Sequence, residues 1–190
     1  MDALGLLQQV VDETDKLVAN IDESDLASPT RCTEWSVRDL LNHVTGGATM
    51  FAISAEQGSV PDDVMGQLMG GDNLGDDFKG AWTKASRHAL KAFEDPAVMD
   101  KMVRLPFGEM PAGVALNIAV FDVATHATDL AAATGQHVAD TELLESALAM
   151  GQQMISPEWR QAGVFGAEQP CPEDAPVADR LAAFAGRQLT

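Results

Sequence analysis

Apolar residues in this chain recur at three- and four-residue steps, and that period restricts the fold to packed helices. Leu4, Leu7, Val11, Val18 and Ile21 make the first stripe, with Thr14 on the same face. A second runs through Val37, Leu40, Leu41, Val44 and Ala48. Its start is well marked. Ser36 is a good N-cap, Asp39 stands three residues on to complete a capping box, and Trp35 and Leu40 can staple the entry. A third helix carries Phe78, Trp82, Ala85, Ala89 and Phe93 on one face. A fourth begins near Pro111 and runs through Ala115, Leu116, Ala119, Val120, Val123, Ala127 and Leu130 to a stop at Gly135. Asp140 caps a fifth, and a short terminal helix covers about Val177 to Ala185.

The connections differ in character. Residues 56–76 are rich in Gly and Asp and hold Pro61, and they read as one long surface loop. The piece KMVRLPFGEM suits a short extended stretch, because Pro106 and Gly108 break a helix. No repeat and no long linker divides the chain. The expectation is therefore all-α: an up-and-down four-helix bundle with additional short helices and one long loop, forming a single domain over residues 1–190.

Charge narrows the function. Twelve Lys and Arg stand against 29 Asp and Glu, a net charge of −17. Scattered basic residues in so acidic a chain give no phosphate-binding cluster, so nucleic acid is not an expected partner. No apolar run reaches membrane-spanning length, and the acidic N-terminal segment does not read as a signal peptide, so the expected location is cytoplasmic. GGDNLGDD has acids where a phosphate loop needs Lys, and it lacks the Gly and Glu positions of a calcium loop.

Chemistry concentrates on the fourth helix. Asp122, His126 and Asp129 stand at i, i+4 and i+7, one polar stripe on an otherwise apolar helix. A carboxylate on a core face needs a neutralising partner. A metal bound by Asp122, His126 and a third group from a facing helix would supply one. The competing reading is a hydrogen-bonded core histidine, with the carboxylates turned to solvent. His88 lies among basic residues and His137 follows the helix stop, so both read as surface groups. Cys32 reads as a small hydrophobe of the bundle wall on which metal content does not depend.

Several blocks then resemble a known family. They are TRCTEWSVRDLLNHV, FGEMP, FDVATHATDLAAATGQ, RQAGVFG and DRLAAFAGR, in that order. Together they are similar to the actinobacterial mycothiol-dependent maleylpyruvate isomerase-like, DinB-like metal-binding family. The resemblance implies a metal site of His43, Asp122 and His126, with Asp122 where the isomerase itself has Glu. It also implies a low-molecular-weight thiol such as mycothiol as cofactor. Two His and one carboxylate suit zinc first, with nickel or iron as alternatives. Asp129, one turn beyond His126, is expected to orient a ligand or to pair with an Arg. The resulting expectation is a metal-dependent thiol transferase or isomerase acting on a small molecule. The alternative is a non-catalytic metal- or ligand-binding helical module, with a homodimer as one form it can take.

Overall fold

The structure, a computed structural model, describes residues 2–161, 163 and 165–189. Eight helices and one small hairpin follow in order: α1 Ala3–Ala19, α2 Val37–Gln57, α3 Asp62–Gly70, α4 Phe78–Ala92, β1 Met102–Leu105, β2 Gly108–Pro111, α5 Ala112–Ala133, α6 Thr141–Met154, α7 Pro157–Gln161 and α8 Val177–Phe184. The architecture is a helical bundle, as the periodicity predicts. Among the described residues, no helix is long and apolar enough to cross a membrane.

Four long helices make the bundle. α5 packs against α1 and α2, and α4 packs against α2 and α1, so α1 lies diagonal to α2 and α4 diagonal to α5. α6 and α8 pack on each other and on α5. α5 is therefore enclosed from several sides. From Ala115 to Ala131 nearly every residue is buried, His126 and Asp129 included. A helix so surrounded must be apolar all round, which explains its weak amphipathic pattern.

Local chemistry fixes the helix starts. Ser36 Oγ accepts from Asp39 N–H at 3.2 Å, while Asp39 Oδ2 accepts from Ser36 N–H at 2.9 Å, the expected capping box. Asp140 Oδ1 accepts from Leu143 N–H at 3.0 Å at the start of α6. Pro111 takes the cap position itself. The extended stretch is a hairpin in which Val103 pairs with Met110 and Leu105 with Gly108, with Pro106 and Phe107 at its turn.

The expected long loop at 56–76 is corrected. Residues 62–70 form α3, with Pro61 at its cap and Asp62 and Asp63 in the first turn, where acids suit the helix dipole. Tertiary contact overrides the glycine-rich composition. Asn42 Oδ1 accepts from Asn73 N–H at 2.7 Å, its Nδ2 donates to Gly71 O at 2.9 Å, and Asn73 Nδ2 donates to Leu68 O at 2.9 Å. Gly46 allows the close approach: a Cβ there would meet Leu68 O at 2.5 Å. In an isolated helix Gly46→Ala would gain about 1 kcal/mol of propensity. Here the backbone collision opposes it, at about 1–3 kcal/mol. Gly46→Ala is expected to lose about 1 kcal/mol net in denaturant unfolding and to speed proteolysis within 62–70. Unchanged stability and unchanged cleavage would show that α3 does not depend on this contact.

Candidate metal centre

α2 contributes His43, about two turns into the helix that the Ser36 box starts. α5 contributes Asp122, His126 and Asp129 on one face. His126 Nε2 lies 3.5 Å from Asp122 Oδ1, and His43 Nε2 lies 3.9 Å from the same oxygen. The three ligand atoms all fall within 4.8 Å of one another. An ion held tetrahedrally by bonds of about 2.0–2.1 Å would bring its ligand atoms to about 3.3 Å. The donor set thus fits a divalent cation with a small contraction. Space is left as well. A Cβ on Gly47 would already come within 3.6 Å of Asp122 Oδ2.

Electrostatics favour the charged forms here. Burial opposes charge on Asp122, but attraction to His126 and hydrogen bonds to both histidines prevail and hold the carboxyl well below its ordinary range. Burial likewise opposes charge on His126, and Asp122 and Asp129 together raise it well above 6.5. A cation at the three ligand atoms would replace that proton as the positive charge.

Behind His126 lies a second layer. Asp129 is 0% exposed. Its Oδ2 sits 3.2 Å from His126 Nδ1 and accepts from Arg187 Nε and Nη2 at 3.1 and 3.0 Å. Cys32 Sγ donates to it at 3.3 Å. Oδ1 is buried with no partner. With Nδ1–H turned to the carboxylate, His126 presents Nε2 to Asp122 and His43, the arrangement in which a carboxylate fixes a ligand's tautomer. Asp129 therefore both orients His126 and pairs with an arginine. Cys32, Asp129 and the Nδ1 side of His126 form another compact group, but the Arg187 guanidinium already supplies its positive charge.

The reading of Cys32 as a wall hydrophobe is corrected: it is half-buried, lines the cavity and points its thiol at Asp129. The loop before α2 holds it there. Trp35 N–H donates to Cys32 O at 2.9 Å, closing a turn whose third residue, Glu34, has φ +71°. A non-glycine in that conformation stores about 1 kcal/mol. Thr30 Oγ1 braces the turn by donating to Trp35 O at 2.9 Å. Trp35 in turn packs on His43, with ring centroids 4.8 Å apart. His88 is not free in solvent, since its Nε2 lies 3.0 Å from Glu56 Oε1, whereas His137 is exposed in the loop before α6.

Arg187, Trp35 and Gly47 escaped sequence reasoning as parts of the site. Arg187 left one trace, the glycine before it. Gly186 has φ +96°, and a Cβ there would strike Gly166 Cα at 2.9 Å, so only glycine delivers the arginine to Asp129.

His43, Asp122, His126, Cys32, Trp35, Gly47 and Arg187 border a cavity of about 540 Å³. Asp129 stays ionised below its ordinary pKa despite burial, because His126 and Arg187 hold it. Its depressed pKa makes its contribution to stability present above about pH 4 and lost as the pH falls through the folded value. Arg187→Met should destabilise the fold by about 3 kcal/mol at neutral pH, since it leaves a buried charge without its cation. The loss should shrink as the pH is lowered past that range. Urea unfolding at several pH values measures both, and a loss independent of pH would show that packing, not the pair, is responsible.

Three comparisons bear on descent. The mycothiol maleylpyruvate isomerase N-terminal domain family matches residues 7–131. Two proteins described as uncharacterized, from two strains of Mycobacterium tuberculosis, are each 37% identical over 195 residues, spanning all of this chain and all of theirs. Two crystal structures of mycothiol-dependent maleylpyruvate isomerase, one of a point mutant, share the fold. They superpose with TM-scores of 0.68 for the mutant and 0.66 for the other, at 17% and 16% identity, over 85% of this chain and 71% of theirs. By the extent of the family match and the identity to full-length relatives, the chain belongs to the mycothiol maleylpyruvate isomerase N-terminal domain family.

Proposed function

We propose that residues 1–190 act as one domain that binds a divalent cation, zinc first, through His43, Asp122 and His126, and catalyses transfer or isomerisation with a low-molecular-weight thiol. The observation that carries the reading is the convergence of three ligand atoms within 4.8 Å at the edge of a 540 Å³ cavity. Three protein ligands leave a position for an exogenous group, as catalytic rather than structural sites do. The family and the mycothiol-dependent isomerases of like fold support a thiol of the mycothiol kind as the second component.

A bound cation would supply Lewis acidity, which makes a thiol or a water nucleophilic at neutral pH. The chain's own residues prepare for this. Asp129 accepts a hydrogen bond from the Nδ1–H of His126 and leaves Nε2 facing the shared point. Arg187 keeps Asp129 ionised so that it remains a good acceptor. Trp35 covers the His43 ring and limits water on that side. The apolar cavity then holds the small-molecule partner against the same point.

His43→Ala, Asp122→Ala and His126→Ala should each lose most of the metal while helical circular dichroism persists, since the core does not draw on this site. Asp129→Asn should weaken the metal about 10- to 100-fold without abolishing it. Affinity should fall as the pH drops, because protons compete for the histidines. Metal per chain and competition with a chelator measure all of these. Retention of one tight metal by all three alanine variants would remove the site and the function built on it.

A further inference from the structure

We infer that the small molecule taken into this cavity is apolar and uncharged along its length, and is not a dicarboxylate. The inference rests on the reading of the cavity as the reaction site and narrows its substrate class. Six large apolar side chains line it: Met50, Phe51, Phe107, Ile118, Phe121 and Phe165. The aromatic part is fixed in place. Phe165 stacks on Trp159 with centroids 6.0 Å apart and meets Phe121 edge-on at 5.9 Å. Phe121 also meets Phe184 edge-on at 6.0 Å.

The cations of the cavity are already engaged. Apart from the two histidines of the metal centre, Arg31 and Arg187 are the basic side chains among the described lining residues. Arg31 Nη2 is paired with Asp179 Oδ1 at 3.0 Å. Arg187 gives Nε and Nη2 to Asp129, and its Nη1 donates to Ala185 O at 2.8 Å. A substrate carboxylate directed away from the metal centre would meet carbon on nearly every side, and burying an unpaired charge there is unfavourable. The net charge of −17 adds a negative field that disfavours dianions further. A neutral body with one polar group aimed at the metal centre satisfies every wall.

Arg31 gives the inference a sharp test. Asp179, its partner, lies in the first turn of α8 and is partly exposed, so Asp179→Asn should fold. Two probes of one skeleton are used: the dimethyl ester of naphthalene-2,6-dicarboxylic acid, whose polar groups lie at opposite ends, and the free dianion. Equilibrium dialysis with the full chain, as purified and after chelator treatment, gives both affinities, and metal per chain is measured in the same samples. The wild type should bind the diester at least about tenfold more tightly than the dianion in both preparations, the cost of an unpaired charge. Asp179→Asn should narrow the gap by strengthening the dianion alone. Equal or tighter binding of the dianion by the wild type, or no binding of the diester, would overturn the inference. Loss of the diester's advantage with metal still bound would sink the substrate class and leave the metal reading standing. Protein that holds no metal as purified, and takes none up when a divalent cation is added back, but keeps the preference would do the reverse.

Discussion

A single carboxylate among the described residues, Asp129, lies fully buried near the C-terminal end of the most enclosed helix, and its charge organises the surrounding structure. A buried anion is tolerated only when donors reach it. Those donors come from three distant parts of the chain: His126 one turn earlier on α5, Cys32 from the turn before α2, and Arg187 from beyond α8. Each arrives for a separate local reason. The strained turn at Glu34 aims the thiol, and the glycine at 186 lets the arginine pass close to Gly166. Holding the carboxylate also sets the ring of His126, so the demand for a satisfied core charge and the demand for an oriented ligand are met by the same contacts.

The order of the helices around the bundle explains where the walls come from. Because α1 is diagonal to α2, and α4 to α5, the chain crosses the bundle twice instead of stepping between neighbours. The first crossing carries Cys32 and Trp35, and the second carries the hairpin with Phe107 at its turn. Such long connections would be poor economy in a bundle built for stability alone. Here they line the cavity beside the candidate cation site.

Most of the frame was legible from short-range patterns. The Ser36–Asp39 box, the Asp140 cap and the stop at Gly135 are local features, and local features read well from sequence. The grouping of Asp122, His126 and Asp129 followed from helical spacing, while His43 came only by resemblance, since nothing local links α2 to α5. Three points were missed for a common reason. α3 depends on Asn42, Gly46 and Asn73 clamping it to α2; Cys32 depends on a turn that lacks its usual glycine; Arg187 depends on the meeting of Gly166 and Gly186. None is marked by a local signal: two are contacts between separate segments, about which periodicity carries no information, and the turn at Cys32 lacks the glycine that would announce it.

The cavity wall is built partly from the helices that carry the candidate cation site and partly from outside them. His43, Asp122 and His126 all lie within residues 7–131, on helices whose other faces are core. Phe165 lies past that span, and Phe107 sits at a hairpin tip, where substitution leaves the helices alone. Substitution at these two positions would reshape the chamber without moving the helices that carry His43, Asp122 and His126.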